Sequence, residues 1–131
     1  MFKPLLLVVA TLGIALPATA QNGAPPERIQ FARGGTSKAV TGAIKGYDAK
    51  RYVIRVRAGQ RLAVALKTSN ASNYFNIFAP GAEAAMEGGA NQTRFATTVP
   101  SSGDYVIDVY LMRNAARRNE SAKYTLTVGV R

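Results

Sequence analysis

The sequence feature that most limits the fold of this chain is a series of short stretches in which every second residue is apolar. One such stretch runs from Asp104 to Met112, and another from Tyr124 to Val130. An alternation with a period of two is typical of a β-strand with one buried face. Such stretches recur at spacings of roughly 8 to 12 residues, with turn residues between them. We therefore predict an all-β fold, a single-domain antiparallel β-sandwich of about eight short strands.

Two neighbouring stretches in the first half of the chain predict a β-hairpin. Arg51–Arg57 and Arg61–Lys67 both alternate, and the turn residues Ala58–Gln60 separate them. We expect these strands to pair, with their arginines on an outward, basic face. The segment Pro80–Ala90 is rich in Gly, Ala and Glu, and we interpret it as a loop.

The first residues predict export from the cytoplasm. Lys3 precedes an apolar run from Leu5 to Leu16, and small residues end at Ala20, as in a signal peptide cleaved after Ala20. We predict a signal peptide over residues 1–20, a flexible lead-in over 21–28 and a β-sandwich domain over 29–131. No second segment has the length of a membrane span. We therefore expect a soluble periplasmic or secreted protein with no membrane insertion.

The composition excludes several kinds of catalytic site. The chain has no Cys and no His, so the usual zinc ligands are missing and a Ser-His nucleophile is impossible. Ser101 and Ser102 fit a turn better than a catalytic role. Glu83 and Glu87 stand at a helical spacing, but single carboxylates in a Gly-rich loop are usually solvated. Calcium stays open, and otherwise we expect no enzyme activity and no cofactor.

The charge balance favours an anionic partner. The chain carries 17 Lys+Arg against 7 Asp+Glu, a net charge of +10, and loss of Lys3 with the signal peptide lowers it to +9. Nucleic acid is disfavoured, because Tyr52 should face the core while Arg51 and Arg55 face outward, so no stacking surface forms. A basic surface that only keeps the protein soluble is an equal alternative at this point.

The segment from Arg113 to Ala122 is too polar for a core and too long for a tight turn, so it should project into solvent. If part of it forms a helical turn, Arg113 and Arg117 point the same way, four residues apart. Two guanidinium groups side by side suit a carboxylate or phosphate target.

Three groups of residues give the chain a resemblance to a known family. It resembles the bacterial periplasmic inhibitors of goose-type (g-type) lysozyme, which have a β-sandwich body. The residues that carry this resemblance are Phe31–Gly34 leading to Gly42–Asp48, Ala58–Gln60, and Ser102–Tyr105 continuing through Arg113–Arg117 to Lys123–Tyr124.

The resemblance implies a function and a site. It implies that loops at one end of the sandwich enter the substrate cleft of a g-type lysozyme and block it. The inserted residues would be Tyr47, Arg113 and Arg117, with the turn at Ser102 and Gly103 beside them. Without the resemblance, Tyr47 could simply cover the end of the core, and both arginines could be solvated loop charges.

A second function stays open at this stage. The chain could be a periplasmic module that binds glycan or an anionic envelope polymer through a basic face formed by Arg51, Arg55, Arg57 and Arg61. A weak contact with such polymers is also compatible with lysozyme inhibition. Many lysozymes are basic, so the positive charge of this chain would repel them at long range. Either the target lysozyme is less basic, or the charge has a separate role.

Overall fold

The computed structural model describes residues 25–131, so the predicted signal peptide and most of the lead-in lie outside the described residues. Eight strands and one short helix follow one another along the chain. They are β1 (Glu27–Arg28), β2 (Ser37–Lys45), β3 (Lys50–Val56), β4 (Arg61–Thr68), β5 (Asn73–Phe78), β6 (Arg94–Thr98), β7 (Gly103–Leu111), α1 (Arg113–Arg117) and β8 (Ser121–Val130). The predicted all-β sandwich is confirmed, and Pro80–Ala90 contains no helix.

The strands form two four-stranded sheets, which we call sheet 1 (β1-β3-β7-β5) and sheet 2 (β2-β8-β4-β6). The pairing is antiparallel except between β1 and β3, which run parallel. Successive strands always belong to different sheets, so each connection crosses from one layer of the sandwich to the other.

The predicted hairpin of β3 and β4 is therefore wrong. β3 pairs with β7, and β4 pairs with β8 and β6. A turn that joins paired strands and a turn that carries the chain over the core can have similar residues. The alternation shows which side chains are buried, but it does not show which strand lies alongside.

The core between the sheets consists of the inward residues that the alternation predicts. Ile54 and Val56 of sheet 1 face Leu62 and Val64 of sheet 2, and all four are buried. Because residues 25–131 contain no cysteine, burial of apolar surface must hold the layers together without disulfides.

Two tyrosines join the sheets through the core. The hydroxyl groups of Tyr52 in sheet 1 and Tyr124 in sheet 2 are 2.7 Å apart, and both residues are buried. Burial raises the pKa of both phenols, so they stay protonated and each can donate to the other. Gly42 makes room for this pair, since a Cβ atom there would lie 2.4 Å from the Tyr124 oxygen.

The strand register divides the connections between two ends of the sandwich. At the end that we call the helix end, the β2–β3 turn, the β4–β5 loop and α1 meet. At the other end, which we call the turn end, the β3–β4 turn lies beside the β6–β7 turn, where the Gly59 N–H donates to Val99 O (2.9 Å). Segments distant in sequence are thus neighbours at each end.

The folded domain begins earlier than the boundary predicted at residue 29. Glu27 and Arg28 form β1, and the Arg28 guanidinium binds Asp104 through two hydrogen bonds of 3.1 and 2.8 Å. The lead-in prediction is therefore wrong for these two residues, because β1 is the edge strand of sheet 1 and pairs with β3. None of the helices in residues 25–131 has the length and apolar character needed to cross a membrane.

We predict that the buried phenol pair contributes measurably to stability. Tyr52→Phe or Tyr124→Phe leaves the other hydroxyl unpartnered in the core and should lower the free energy of unfolding by about 1–3 kcal/mol. The double variant should cost less than the sum of the single changes, since it leaves no unpaired hydroxyl. Urea unfolding of the four proteins measures this coupling, and strictly additive costs would show that the hydroxyls do not interact.

Candidate functional site

Helix α1 presents two arginines to solvent at the helix end. Ala115 and Ala116 are buried against the core, so the positions on either side face outward. Arg113 and Arg117 are both exposed and stand one helical turn apart, at a rise of about 6 Å. Neither forms a salt bridge within residues 25–131. The conditional prediction of a helical turn in this segment is confirmed.

The asparagines next to these arginines fix the shape of the helix. Asn119 has a positive φ of 58°, a conformation that Asn tolerates better than most residues and that commonly ends a helix. Its N–H donates to Ala116 O (2.9 Å), and the Glu120 N–H donates to Ala115 O (3.1 Å). The Asn114 side chain accepts from the Ala115 N–H (2.8 Å). Both asparagines therefore support the geometry of this segment through backbone hydrogen bonds.

Tyr47 projects from the tight turn between β2 and β3. The Asp48 N–H donates to Lys45 O (3.1 Å), which closes the turn. Tyr47 is 71% exposed, whereas the other large hydrophobic residues of 25–131 are half-buried or buried. An exposed aromatic ring surrounded by polar groups is a common anchor in protein interfaces.

Gly46 holds the Tyr47 turn against the end of α1. Its N–H donates to Glu120 O (2.8 Å), and its φ of +62° favours glycine. A Cβ atom at this position would lie 2.6 Å from Asn119 Oδ1 and 3.7 Å from Ala116 O. The turn thus contacts residues that adjoin Arg117, so Tyr47 and the two arginines belong to one surface.

A side-chain cluster supports this surface from the β4–β5 loop. Asn70 donates to Glu120 Oε1 (3.0 Å) and to Ser121 O (3.1 Å), and the Arg118 guanidinium donates to Glu120 Oε2 (2.8 Å). These bonds lower the pKa of the Glu120 carboxyl, the Asn70 bond first and the Arg118 bond second. Sequence reasoning missed Asn70 and Glu120, since a separation of 50 residues gives no local signal.

The turn at Ser102 and Gly103 does not belong to this surface. Gly103 pairs with Val56 at the start of β7, and the Ser102 hydroxyl accepts from the Ala58 N–H (2.8 Å) at the turn end. The length of β7 separates this turn from α1 by roughly 25–30 Å. The expectation that Ser102 and Gly103 lie beside Tyr47 is wrong, because β7 carries the chain from one end of the sandwich to the other. Contact of these two residues with a partner stays a prediction, but it concerns a second surface.

The arginines proposed as a basic binding face are divided and partly neutralised. Arg61 lies on sheet 2, whereas Arg51 and Arg55 lie on sheet 1. On sheet 1 the register places Asp108 directly opposite Arg51 and Asp104 directly opposite Arg55. Residues directly opposite share a face, so these carboxylates offset the positive charge. Burial raises the pKa of Asp108, while Arg51 acts in the opposite direction.

The exposed groups at the helix end are suited to binding rather than to catalysis. Within residues 25–131, no group of three or more carboxylates is placed to hold a metal ion. The surface offers two guanidinium forks and a phenol ring, which can bind a carboxylate and fill an apolar or sugar-shaped hollow.

Comparisons with known proteins point to one group of relatives, although no family model matches the sequence. The "Inhibitor of g-type lysozyme" of Escherichia coli (strain K12) is 28% identical over 107 residues, which are 79% of each chain. The crystal structure of PliG of Aeromonas hydrophila, a periplasmic lysozyme inhibitor of g-type lysozyme, is 34% identical with a TM-score of 0.71. The match covers 81% of this chain and 96% of that chain. PliG of Salmonella Typhimurium is 28% identical with a TM-score of 0.66, covering 83% and 100%.

We predict that Glu120 titrates below the usual range of a glutamate. A lowered pKa in the folded state means that the bonds of Glu120 stabilise the fold above its ordinary pKa of 4.5, and this stabilisation is lost as pH falls through the folded pKa. Asn70→Ala should move the titration midpoint of Glu120 upward. NMR titration of the carboxyl carbon measures this, and a midpoint that Asn70→Ala leaves in place would contradict the supporting role of Asn70.

Proposed function

Because the chain belongs to the periplasmic inhibitors of g-type lysozyme, we propose that it is a non-catalytic, stoichiometric inhibitor of a g-type lysozyme in the periplasm. Its relatives are inhibitor proteins and not enzymes. The finer part of the proposal is that Tyr47, Arg113 and Arg117 enter the substrate cleft of the lysozyme and block it.

The observation that carries this proposal is that an exposed tyrosine and two arginines lie together at one end of the sandwich. Neither arginine forms a salt bridge with another part of residues 25–131. Tyr47 is held beside α1 by the Gly46 contact, and the arginines are held by the buried Ala115 and Ala116. A backbone that is already fixed by a well-packed frame loses less conformational entropy on binding.

The chemistry of these groups complements a lysozyme cleft. Enzymes that cleave glycosidic bonds use carboxyl groups beside a groove shaped for sugar rings. A guanidinium fork binds a carboxylate through two parallel hydrogen bonds, and a phenol ring has the flat shape of a sugar. In this proposal one arginine pairs with a catalytic carboxylate while the Tyr47 ring occupies a sugar subsite. Short-range pairing of this kind must outweigh the long-range repulsion that a basic lysozyme would exert.

Ser102 and Gly103 cannot enter the same cleft as Tyr47, because they lie at the turn end. If Ser102 and Gly103 bind the lysozyme, they must do so at a second contact outside the cleft that Tyr47 enters. The alternative of a polymer-binding face on β3 has less support, since Asp104 and Asp108 stand opposite its arginines.

We predict that removing the two helix arginines abolishes most of the inhibition. Arg113→Ala and Arg117→Ala should each cost about 2 kcal/mol or more of binding free energy, as expected for arginines at the centre of an interface. This corresponds to a roughly 30-fold or larger increase in Kd. Titration of each variant against a g-type lysozyme in a cell-wall lysis assay measures the loss.

The matched control is the double variant Arg51→Ala/Arg55→Ala, which removes the same charge from sheet 1. If inhibition depends on the helix end, this control should inhibit as the unaltered protein does. Equal losses in both double variants would mean that net charge alone acts, and full inhibition by Arg113→Ala/Arg117→Ala would overturn the proposed site. Urea unfolding of each variant separates lost binding from lost folding.

We predict that the ring of Tyr47 matters more than its hydroxyl. Tyr47→Phe keeps the flat ring and should retain most of the inhibition, whereas Tyr47→Ala should weaken binding at least tenfold. Neither change should alter stability much, since the side chain is 71% exposed. The same lysis assay with g-type, chicken-type and invertebrate-type lysozymes tests the class of target. Inhibition of the chicken-type enzyme but not of the g-type enzyme would contradict the proposed function.

A further inference from the structure

The outer face of sheet 2 carries positive charge and no negative charge in the described structure. The register of β2, β8, β4 and β6 places alternate residues of these strands on that face, and none of them is Asp or Glu. Its cationic residues are Lys45, Arg61, Lys67, Arg94, Lys123 and Arg131. None of these side chains forms a salt bridge within residues 25–131.

The rest of this face consists of small residues, which leave a shallow trough between the cations. Ala63 and Gly129 lie at its centre, where strand pairing places them side by side. Two adjoining depressions of about 590 and 780 Å³ follow the face, the first lined by Arg61, Arg94 and Arg131 and the second by Lys67 and Lys123. From Arg61 to Lys67 the strand advances about 20 Å, which is the scale of several units of a linear polymer.

The two sheets differ in whether their outward cations have acidic neighbours. On sheet 1, Arg28 binds Asp104, and Asp108 stands opposite Arg51. On sheet 2, the neighbours of the cations across the strands are hydroxyl and methyl groups, except that Arg61 and Arg131 lie opposite each other. Positive charges that lie close together repel one another and so raise the free energy of the folded protein. A bound anion would remove this repulsion between the cations of sheet 2.

The side chains on this face also limit the chemical class of anion that can bind there. Phe95 of β6 borders the first depression, but it lies opposite the buried Val64 and is half-buried. No other aromatic side chain of these strands in the described structure reaches this face, so there is no exposed ring on which nucleobases could stack. No outward side chain in this part of the structure is apolar and larger than alanine, so lipid chains would find nothing to bury against. The threonines Thr41, Thr125 and Thr127 provide hydroxyl groups that can bond with sugar hydroxyls.

We propose that the outer face of sheet 2 binds a linear acidic polysaccharide that carries carboxylates. The polymer lies along the trough, with its carboxylates on Arg61, Arg94 and Arg131 and its sugar hydroxyls on the threonines. This site is separate from the lysozyme site, because Arg61 and Arg131 lie at the turn end and Arg94 lies opposite Ala65 in the middle of β4, whereas Tyr47 and α1 lie at the helix end. Binding of an envelope glycan would give the high positive charge of the chain a role that lysozyme inhibition does not.

The test uses polygalacturonate, a linear polymer of uronic acid, as the probe. The purified protein should bind it at low salt with an affinity that falls steeply as salt is added. The triple variant Arg61→Gln/Arg94→Gln/Arg131→Gln should bind about tenfold or more weakly and depend less on salt. Its matched control, Arg51→Gln/Arg55→Gln/Arg57→Gln, has the same net charge and should bind within about threefold of the unaltered protein. Titration calorimetry measures all three.

Each further outcome decides the proposal. Equal weakening in both triple variants would show that net charge, not the trough, binds the polymer, and absence of binding at low salt would also overturn the site. Neutral dextran should not bind, and binding equal to that of polygalacturonate would exclude a charge-based site. Double-stranded DNA, added at the same concentration of negative charge, should not displace polygalacturonate. Displacement by the DNA would contradict the proposal that the ligand is a polysaccharide. If the variant Arg61→Gln/Arg94→Gln/Arg131→Gln still inhibits lysozyme fully, the result would support two separate sites. If this variant no longer inhibits lysozyme, the proposal of two separate sites would be contradicted.

Discussion

The crossing of every connection from one sheet to the other is the constraint on which this structure depends. Because successive strands never pair, each sheet is assembled from segments that are distant along the chain. The apolar core between the layers joins these segments, with the Tyr52–Tyr124 bond inside it. The same arrangement brings the β2–β3 turn, the β4–β5 loop and α1 to one end, which is how Tyr47 comes to lie beside Arg117.

The alternation of residues was enough to predict the class of fold and most of the buried side chains. It correctly placed Tyr52 in the core and Arg51 outside, because burial has the same period as the strand. It could not predict partners, since pairing depends on which strands lie side by side and not on their own pattern. For this reason the predicted β3–β4 hairpin was wrong. The position of Ser102 beside Tyr47, which the resemblance implied, was also wrong, because β7 separates the two residues.

The site itself was only partly predictable. The spacing of Arg113 and Arg117 indicated a shared direction once a helical turn was assumed, and the resemblance to a family indicated Tyr47. The Asn70–Glu120 bond joins residues 50 positions apart, and no local property of either residue indicates the other. The uninterrupted charge of sheet 2 was equally hidden, because Lys45, Arg94 and Arg131 belong to three different strands or strand ends that meet only in the folded sheet.

The last strands of the chain occupy the middle of the sheets. β7 lies between β3 and β5, and β8 lies between β2 and β4. Until these strands have left the ribosome, the earlier strands have no central partner, so neither layer can close and folding waits for the whole chain. Proteins dominated by such distant pairings fold slowly. The apolar faces of the earlier strands therefore stay without their central neighbours until the last strand has been made.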